Sequence, residues 1–352
     1  MFEFIYFRID NIRFYAIFVD LPKGHSGATQ AREWRHRMTN RSALILGATG
    51  GIGGAVMETL EARGWHVKAL LRRPDAKLAG ACERIAGDAM DPNAVAAAAK
   101  GADVIVHAVN PPGYRDWDKL VLPMLENTIA AARATGARIV LPGTVYNFGP
   151  DAFPTIDEEA PQRPLTRKGA IRVEMERRLR AAADAGDARV LIVRAGDYFG
   201  PNAANNWFSQ GMIVAGKRPS IVRQPGLAGV GHQWAYLPDV AETMVRLLER
   251  PALPDFARFH MQGHWDPDGR QMAEAITVAL GAPATPIRAL AWWQLRLAAP
   301  FLVTARELME MRYLWKVPLR LTNDRLVAAL GTEPHTPLAD AVRTTLAGLG
   351  CL

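Results

Sequence analysis

Cysteine is almost missing from this chain: Cys82 and Cys351 are the only two in 352 residues. So few, so far apart, exclude a disulfide framework and fit a reducing cytoplasm. No run of about 18 uncharged apolar residues occurs, which excludes a spanning helix and stable membrane insertion. No Gly-x-Ser-x-Gly elbow is present, so serine hydrolase chemistry has no footing. RNP, zinc-finger and basic-helix patterns are lacking too. The 42 Lys and Arg residues against 35 Asp and Glu leave a net charge of +7. They are scattered rather than gathered, so nucleic acid is set aside and the excess is assigned to anionic cofactors and substrates. His260, His264, Asp266 and Asp268 have the look of a metal cluster. Their segment reads as a strand running into a loop, where that spacing does not converge, so no metal is expected.

Within the first 37 residues, Met1 to Asp20 is aromatic and β-branched, but Glu3, Arg8, Asp10 and Arg13 interrupt it. The segment lacks the basic start, unbroken apolar core and cleavage site of a secretory signal. Met38 stands just before the first convincing strand and is read as the natural start. Residues 1–37 are then a leader that is not native or is loosely attached. A membrane- or partner-binding arm is the functional alternative.

From residue 42 strands and helices alternate, the pattern of an α/β fold with a doubly wound parallel sheet. The spacing predicts strands at 42–46, 65–71, 84–86, 104–108, 137–141 and 190–194. Helices are predicted at 53–62, 94–100, 120–135 and 168–185. Beyond residue 200 the alternation breaks: 201–231 is loop-rich, and 269–352 reads as helices separated by prolines. Residues 38–200 are therefore assigned to a dinucleotide-binding Rossmann domain. Residues 201–352 are assigned to a smaller, mostly helical substrate lobe interleaved with the end of that core. Trp292, Trp293 and Trp315 fall among its leucines, where ordinary core is the first expectation and a lid or subunit contact the second.

The strongest motif is Gly47-Ala48-Thr49-Gly50-Gly51-Ile52-Gly53, directly after a strand and opening a helix. Gly47 permits the tight turn, Gly50 lets backbone approach a pyrophosphate, and Gly53 lets helix and strand pack closely. The helix N-terminus adds unpaired N–H groups and the positive end of its dipole. Thr49, Gly51 and Ile52 complete the expected phosphate cradle. Where an NAD site would place an acidic residue, at the end of the second strand, stand Arg72 and Arg73. Two guanidinium groups there suit a 2′-phosphate, so NADP is expected ahead of NAD.

With these residues in place, the chain from about residue 42 to its end resembles the extended and atypical short-chain dehydrogenases/reductases of the NAD-dependent epimerase/dehydratase type. Gly87-Asp88-Ala89 resembles the acidic turn after strand three, which puts Asp88 and Ala89 beside the adenine. His107-Ala108-Val109-Asn110 resembles the strand-four turn that passes the cofactor. Gly143-Thr144-Val145-Tyr146 resembles the strand-five end, with Thr144 where the family has its catalytic Ser or Thr. Arg194-Ala195-Gly196-Asp197-Tyr198 resembles the strand-six turn near the nicotinamide, adding Ala195, Gly196 and Asp197 to the cofactor contacts. Trp234 to Ala241 resembles the late Tyr-Val-x-Asp-Val element.

One motif departs. The family's Tyr-Gly-x-x-Lys reads here as Lys168-Gly169-Ala170-Ile171-Arg172, with Glu176 one turn on. The resemblance gives the tyrosine a proton-exchanging role and gives the lysine the nicotinamide ribose. Arg172 still suits ribose hydroxyls, but its pKa above about 12 bars proton shuttling. Lys168 becomes an acid only if neighbours and burial lower its pKa. Tyr146, Tyr198, Asp197 and His107 are the other candidates. Asn206, Trp207 and Phe208 are placed near the substrate cavity. Two readings stand. One is an NADP-dependent reductase or epimerase-like enzyme on a small carbonyl or hydroxyl substrate, using Thr144 with Lys168 or a local tyrosine. The other is a catalytically silent dinucleotide-binding sensor or assembly factor. A homodimer is left open.

Overall fold

The computed structural model describes residues 41–111, 116–203 and 205–352. The leader lies outside the described residues. Seven strands form the main sheet: β1 (Ser42–Leu46), β2 (His66–Leu71), β3 (Glu83–Ala86), β4 (Val104–His107), β5 (Arg138–Gly143), β6 (Arg189–Arg194) and β7 (Phe256–His260). Their order is 3-2-1-4-5-6-7 and every pairing is parallel. The chain reverses its direction of travel across the sheet between β1 and β4. In such a fold the crevice at that reversal is where ligands bind.

The short apolar runs form strands because both faces are covered. Along β1, Ala43 and Ile45 join one core while Leu44 and Leu46 join the other, the period-two alternation of a strand. Helices Gly51–Ala62 and Leu237–Leu248 supply Val56, Leu60, Val240 and Met244 to the first core. Helices Pro92–Ala99, Trp117–Thr135 and Arg167–Asp184 supply Val95, Leu125 and Leu179 to the second. Asp91 caps the first of these three, accepting from Asn93 N, with Pro92 at the position where a missing N–H costs nothing.

The sheet has one strand more than the six expected, and β7 comes from beyond residue 200. Its sequence, Phe-Ala-Arg-Phe-His, alternates less cleanly than a buried strand because Arg258 and His260 are used in a buried charge network at the sheet edge. A third core sits in the later part of the chain. There Phe199, Phe208, Trp234, Trp315 and Leu346 pack around helices Gln271–Ala279 and Leu338–Gly348. The loop-rich stretch after residue 200 holds a π-helical turn, Phe208–Met212, and a short strand, Val222–Gln224. Trp315 belongs to that core, whereas Trp293 is 64% exposed.

Candidate active site

At the carboxyl edge of the sheet a cavity of about 540 Å³ runs from the end of β2, across the glycine turn, to Trp207. Its floor is backbone. Gly47 holds φ +96°, a conformation that favours glycine, and a Cβ there would stand 2.5 Å from the carbonyl oxygen of Ala108. Gly50 N donates to Gly47 O at 3.0 Å and closes the turn. A Cβ on Gly51 would stand 2.7 Å from that of Ala203. Gly53 does not line the cavity. It lies beneath the turn, where a Cβ would collide with Gly47 O, so its smallness sets the helix-to-strand distance.

Thr49, Ile52, Arg72, Arg73, Asp88, Ala89, Ala108, Val109 and Asn110 all line this cavity, as do Thr144, Tyr146, Arg172, Gly196 and Asp197. Ala195 does not: it is fully buried against the first core, and only the next residue turns outward. Arg72 and Arg73 are exposed at the lip, and neither is paired with a carboxylate among the described residues. Asp88 accepts from Met90 N at 2.9 Å, and Asn127 Nδ2 donates to Ala89 O at 2.9 Å. These two bonds fix the turn after β3.

The reaction end departs from expectation at Lys168. Its side chain turns away from the cavity and is nearly buried between Glu307 and Glu310, with Nζ 3.0 Å and 3.4 Å from their carboxylates. Nζ also donates to the carbonyl of Glu307 at 2.8 Å. Lys168 is the second residue of the helix that Thr166 caps, so its side chain leans back over the first turn toward the later lobe. Arg172, one turn on, does line the cavity, with its guanidinium 5.3 Å from the ring centre of Trp117. The shared helical face therefore does not bring both cations into one site.

The other candidates are held by identifiable bonds. Tyr198 donates from its hydroxyl to Gly143 O at 2.5 Å, and burial pushes its phenol well above the usual range. Thr144 accepts from Tyr146 N at 3.3 Å, capping a short 3₁₀ turn. The hydroxyl of Thr128 donates to Met124 O, so its oxygen accepts from Nδ1–H of His107 at 2.8 Å. That leaves Nε2 of His107 as an acceptor with no partner among the described residues. Burial, then the nearby Arg172, pulls the His107 pKa down to about 3, so the imidazole is neutral. It is not a proton donor.

Two arrangements were not legible in the sequence. Asp197 accepts from Nε2 of His232 at 2.8 Å, and His232 stacks on Trp315 at 3.7 Å. The partners are 35 residues apart, and no motif joins them. Glu176 receives both Nε and NH2 of the fully buried Arg194, whose NH1 meets Nε2 of His260 at 2.9 Å. Asn147 Nδ2 adds a bond to Glu176 at 3.0 Å. Glu176 thus ties the Arg172 helix to β6 and β7, and His260 is committed there. Among the described residues no group of three or more His, Cys, Asp or Glu is placed to hold a metal ion.

Comparison with known proteins agrees with this geometry. A 3-diazoavenalumate denitrifying reductase from a Streptomyces species is 28% identical over 319 residues, covering 84% of this chain and 96% of that protein. The uncharacterized protein y4nL of Sinorhizobium fredii is 29% identical over 203 residues, covering 51% of this chain and 56% of its own. Among solved structures, MoeE5 in complex with UDP-glucose and NAD superposes with a TM-score of 0.67 at 20% identity, over 88% of this chain and 98% of that one. A putative epimerase from Burkholderia cenocepacia does so with a TM-score of 0.68 at 19% identity, over 90% and 100%. At such identities the structures speak for the fold alone. The family model matches residues 43–257, well over half of the chain, and the protein belongs to the NAD dependent epimerase/dehydratase family.

Proposed function

We propose that this chain is an NADP(H)-dependent oxidoreductase, working as a reductase on a small carbonyl or hydroxyl compound. The observation that carries the reading is the pair Arg72 and Arg73 at the cavity lip, where a ribose-binding carboxylate would otherwise discriminate against a 2′-phosphate. The residues present fit the dinucleotide. The glycine cradle has no room for a Cβ at Gly47, Gly51 or Gly53, and a helix begins immediately behind it. When bound, the nicotinamide supplies or accepts a hydride.

The chain's own residues divide the remaining tasks. Arg72 and Arg73 neutralise the 2′-phosphate, and Asp88 and Ala89 flank the adenine. Arg172 and Thr144 reach the ribose and the reacting oxygen. Trp117, Tyr146 and Trp207 wall the substrate end and exclude water. The reductase named among the relatives supports the reductive direction. We also take the protein as cytoplasmic, since Cys82 and Cys351 are both free thiols. A homodimer stays in the reading, supported by Trp293 and by Phe301, which is 87% exposed. The second reading, a silent dinucleotide sensor, is favoured by the sequestration of Lys168.

Calorimetric titration of NADPH and NADH against the full chain tests the assignment. NADPH should bind at least about tenfold more tightly, a difference of about 1.4 kcal/mol, and Arg72→Asp should erase the preference. Equal affinity for both dinucleotides would remove Arg72 and Arg73 from the site. NADPH binding without turnover of any carbonyl or alcohol would leave the sensor reading in place.

A further inference from the structure

The reaction end of the cavity needs a group that exchanges a proton, and three of the candidates are withdrawn, which leaves Tyr146 and Asp197 lining it. Lys168 faces Glu307 and Glu310, Tyr198 spends its proton on Gly143, and Nε2 of His107 carries none. Asp197 is the carboxylate that lines this end, and it is more than nine-tenths buried. Its Oδ2 accepts from His232, while no described residue donates to Oδ1. Oδ1 opens on the cavity, where the hydroxyl of a bound ligand can donate to it.

The pair is built rigidly. Asp197 and His232 lie on short strands, Asp197–Phe199 and His232–Tyr236, paired in parallel with Asp197 opposite Trp234. The His232 ring is flat on Trp315, at 13° between planes, and edge-on to Trp234 at 5.0 Å. It cannot swing away from the carboxylate without displacing two indoles. Tyr198, Tyr313 and Arg172 are the charged or titratable groups that face the pair from neighbouring elements, with Glu310 behind Tyr313.

We propose that Asp197, positioned by His232, exchanges the proton with the substrate oxygen in place of the missing tyrosine, and that the substrate is an uncharged, flat alcohol or carbonyl compound lying against Trp207. In the oxidative direction Oδ1 takes the hydroxyl proton. The carbinol hydrogen leaves with its electron pair to NADP⁺, and the C–O single bond becomes C=O. The proton then rests on Oδ1 of Asp197, while Oδ2 still accepts from Nε2–H of His232. Reduction runs the same path backwards, returning proton and hydride to the carbonyl. A buried carboxylate here repels a diphosphate, so nucleoside diphosphate sugars are excluded by charge. Trp207, backed by Trp315 at 5.1 Å and Trp292 at 5.9 Å, closes that end with ring faces instead.

The proposal rests on the NADP(H)-dependent reading and is tested apart from it. The full chain is assayed with cinnamyl alcohol and NADP⁺, with cinnamaldehyde and NADPH, and with UDP-glucose as competitor. The expected kcat/KM for oxidation rises with pH through one ionisation. Asp197→Asn, which keeps the oxygen that accepts from His232, should lower it by about 100-fold or more and flatten the profile. The far-UV circular dichroism and the thermal midpoint should match those of the wild type, which reports that the variant folds. Asp197→Glu should restore the pH dependence in part, and His232→Gln should shift it. An Asp197→Asn enzyme with wild-type rate and profile overturns the proposal. So does a chain that binds NADPH but turns over neither probe, or one that binds UDP-glucose more tightly than cinnamaldehyde. Failure to bind either dinucleotide overturns the underlying reading instead.

Discussion

The two ends of the cavity are made differently. The dinucleotide end is backbone: three of its glycines occupy places where a methyl group would strike a neighbouring residue, and it spans residues 47–53 with one strand before and one helix behind. The reaction end is side chains carried by segments far apart, from His107 and Thr144 to Arg172, Asp197 and His232, with Trp315 behind them. A local turn tolerates few sequences, whereas a scattered set of side chains can be replaced one at a time around a fixed fold. A glycine turn is therefore recognisable from its sequence alone, while the side chains of the reaction end can vary around it.

The contrast is sharpest where a replacement removes charge from the frame joining the two ends. Glu176→Ala would leave Arg194, with no exposed surface, facing His260 without a carboxylate. Stripping one partner from a buried pair costs about 3–5 kcal/mol. Guanidinium denaturation should show that loss, and a smaller one for Glu176→Gln, which keeps an oxygen for Arg194. An unchanged midpoint for Glu176→Ala would mean that the helix carrying Arg172 is held by packing alone.

The dinucleotide end should fail by a different route. Gly47→Ala puts a β-carbon against Ala108 O at a φ that disfavours L residues. NADPH affinity should fall by about 100-fold, or about 2.7 kcal/mol, with the fold retained. Wild-type affinity in this variant would show that the turn moves freely and that the cradle is not backbone-built.

Legibility followed the same division. The strands β1 to β6, the glycine turn and the place of Arg72 and Arg73 at the end of β2 were readable because each depends on neighbours within a few residues. The segment at His260 read as a strand, but β7 was left out of the predicted sheet because Arg258 and His260 are polar residues used at a sheet edge, which blurs the buried-strand pattern. Lys168 was misplaced because helical spacing places residues on a face, and it does not say which later segment supplies the partners. Glu307 and Glu310 lie 139 and 142 positions on, beyond any local signal. The Asp197–His232 pair was hidden for the same reason.

Protonation separates the two ends again. His107 at the cavity is held down to about 3 and His260 in the frame to about 2, each mainly by burial. Both fold neutral, so their contribution is present above the unfolded pKa near 6.5 and is lost as pH falls below it, when the unfolded chain takes protons that the folded one refuses. Each should add about 1.4 kcal/mol of instability per pH unit over that acid window. In His107→Asn the dependence of unfolding free energy on pH between 6 and 4 should lose one such increment. Saturating NADPH should not restore it, since the increment belongs to the unfolded chain. A variant with an unaltered slope would show that His107 takes a proton in the folded state and stays available for chemistry.

The smallest effect is expected at Lys168. Lys168 is held by two carboxylates, but Glu307 and Glu310 keep some contact with water, so their attraction is partly screened and their desolvation small. Lys168→Met fills similar space with an unbranched apolar chain, which removes the buried charge along with its partners' attraction. The two changes oppose each other, and the net loss should be about 1 kcal/mol or less. NADPH affinity and the rate with any accepted substrate should hardly move, because Nζ points away from the cavity. A fall in kcat alone would return Lys168 to the reaction. A fall in stability alone would mean that Lys168 serves to join the helix of Arg172 to the later lobe, leaving proton exchange to side chains elsewhere at that end.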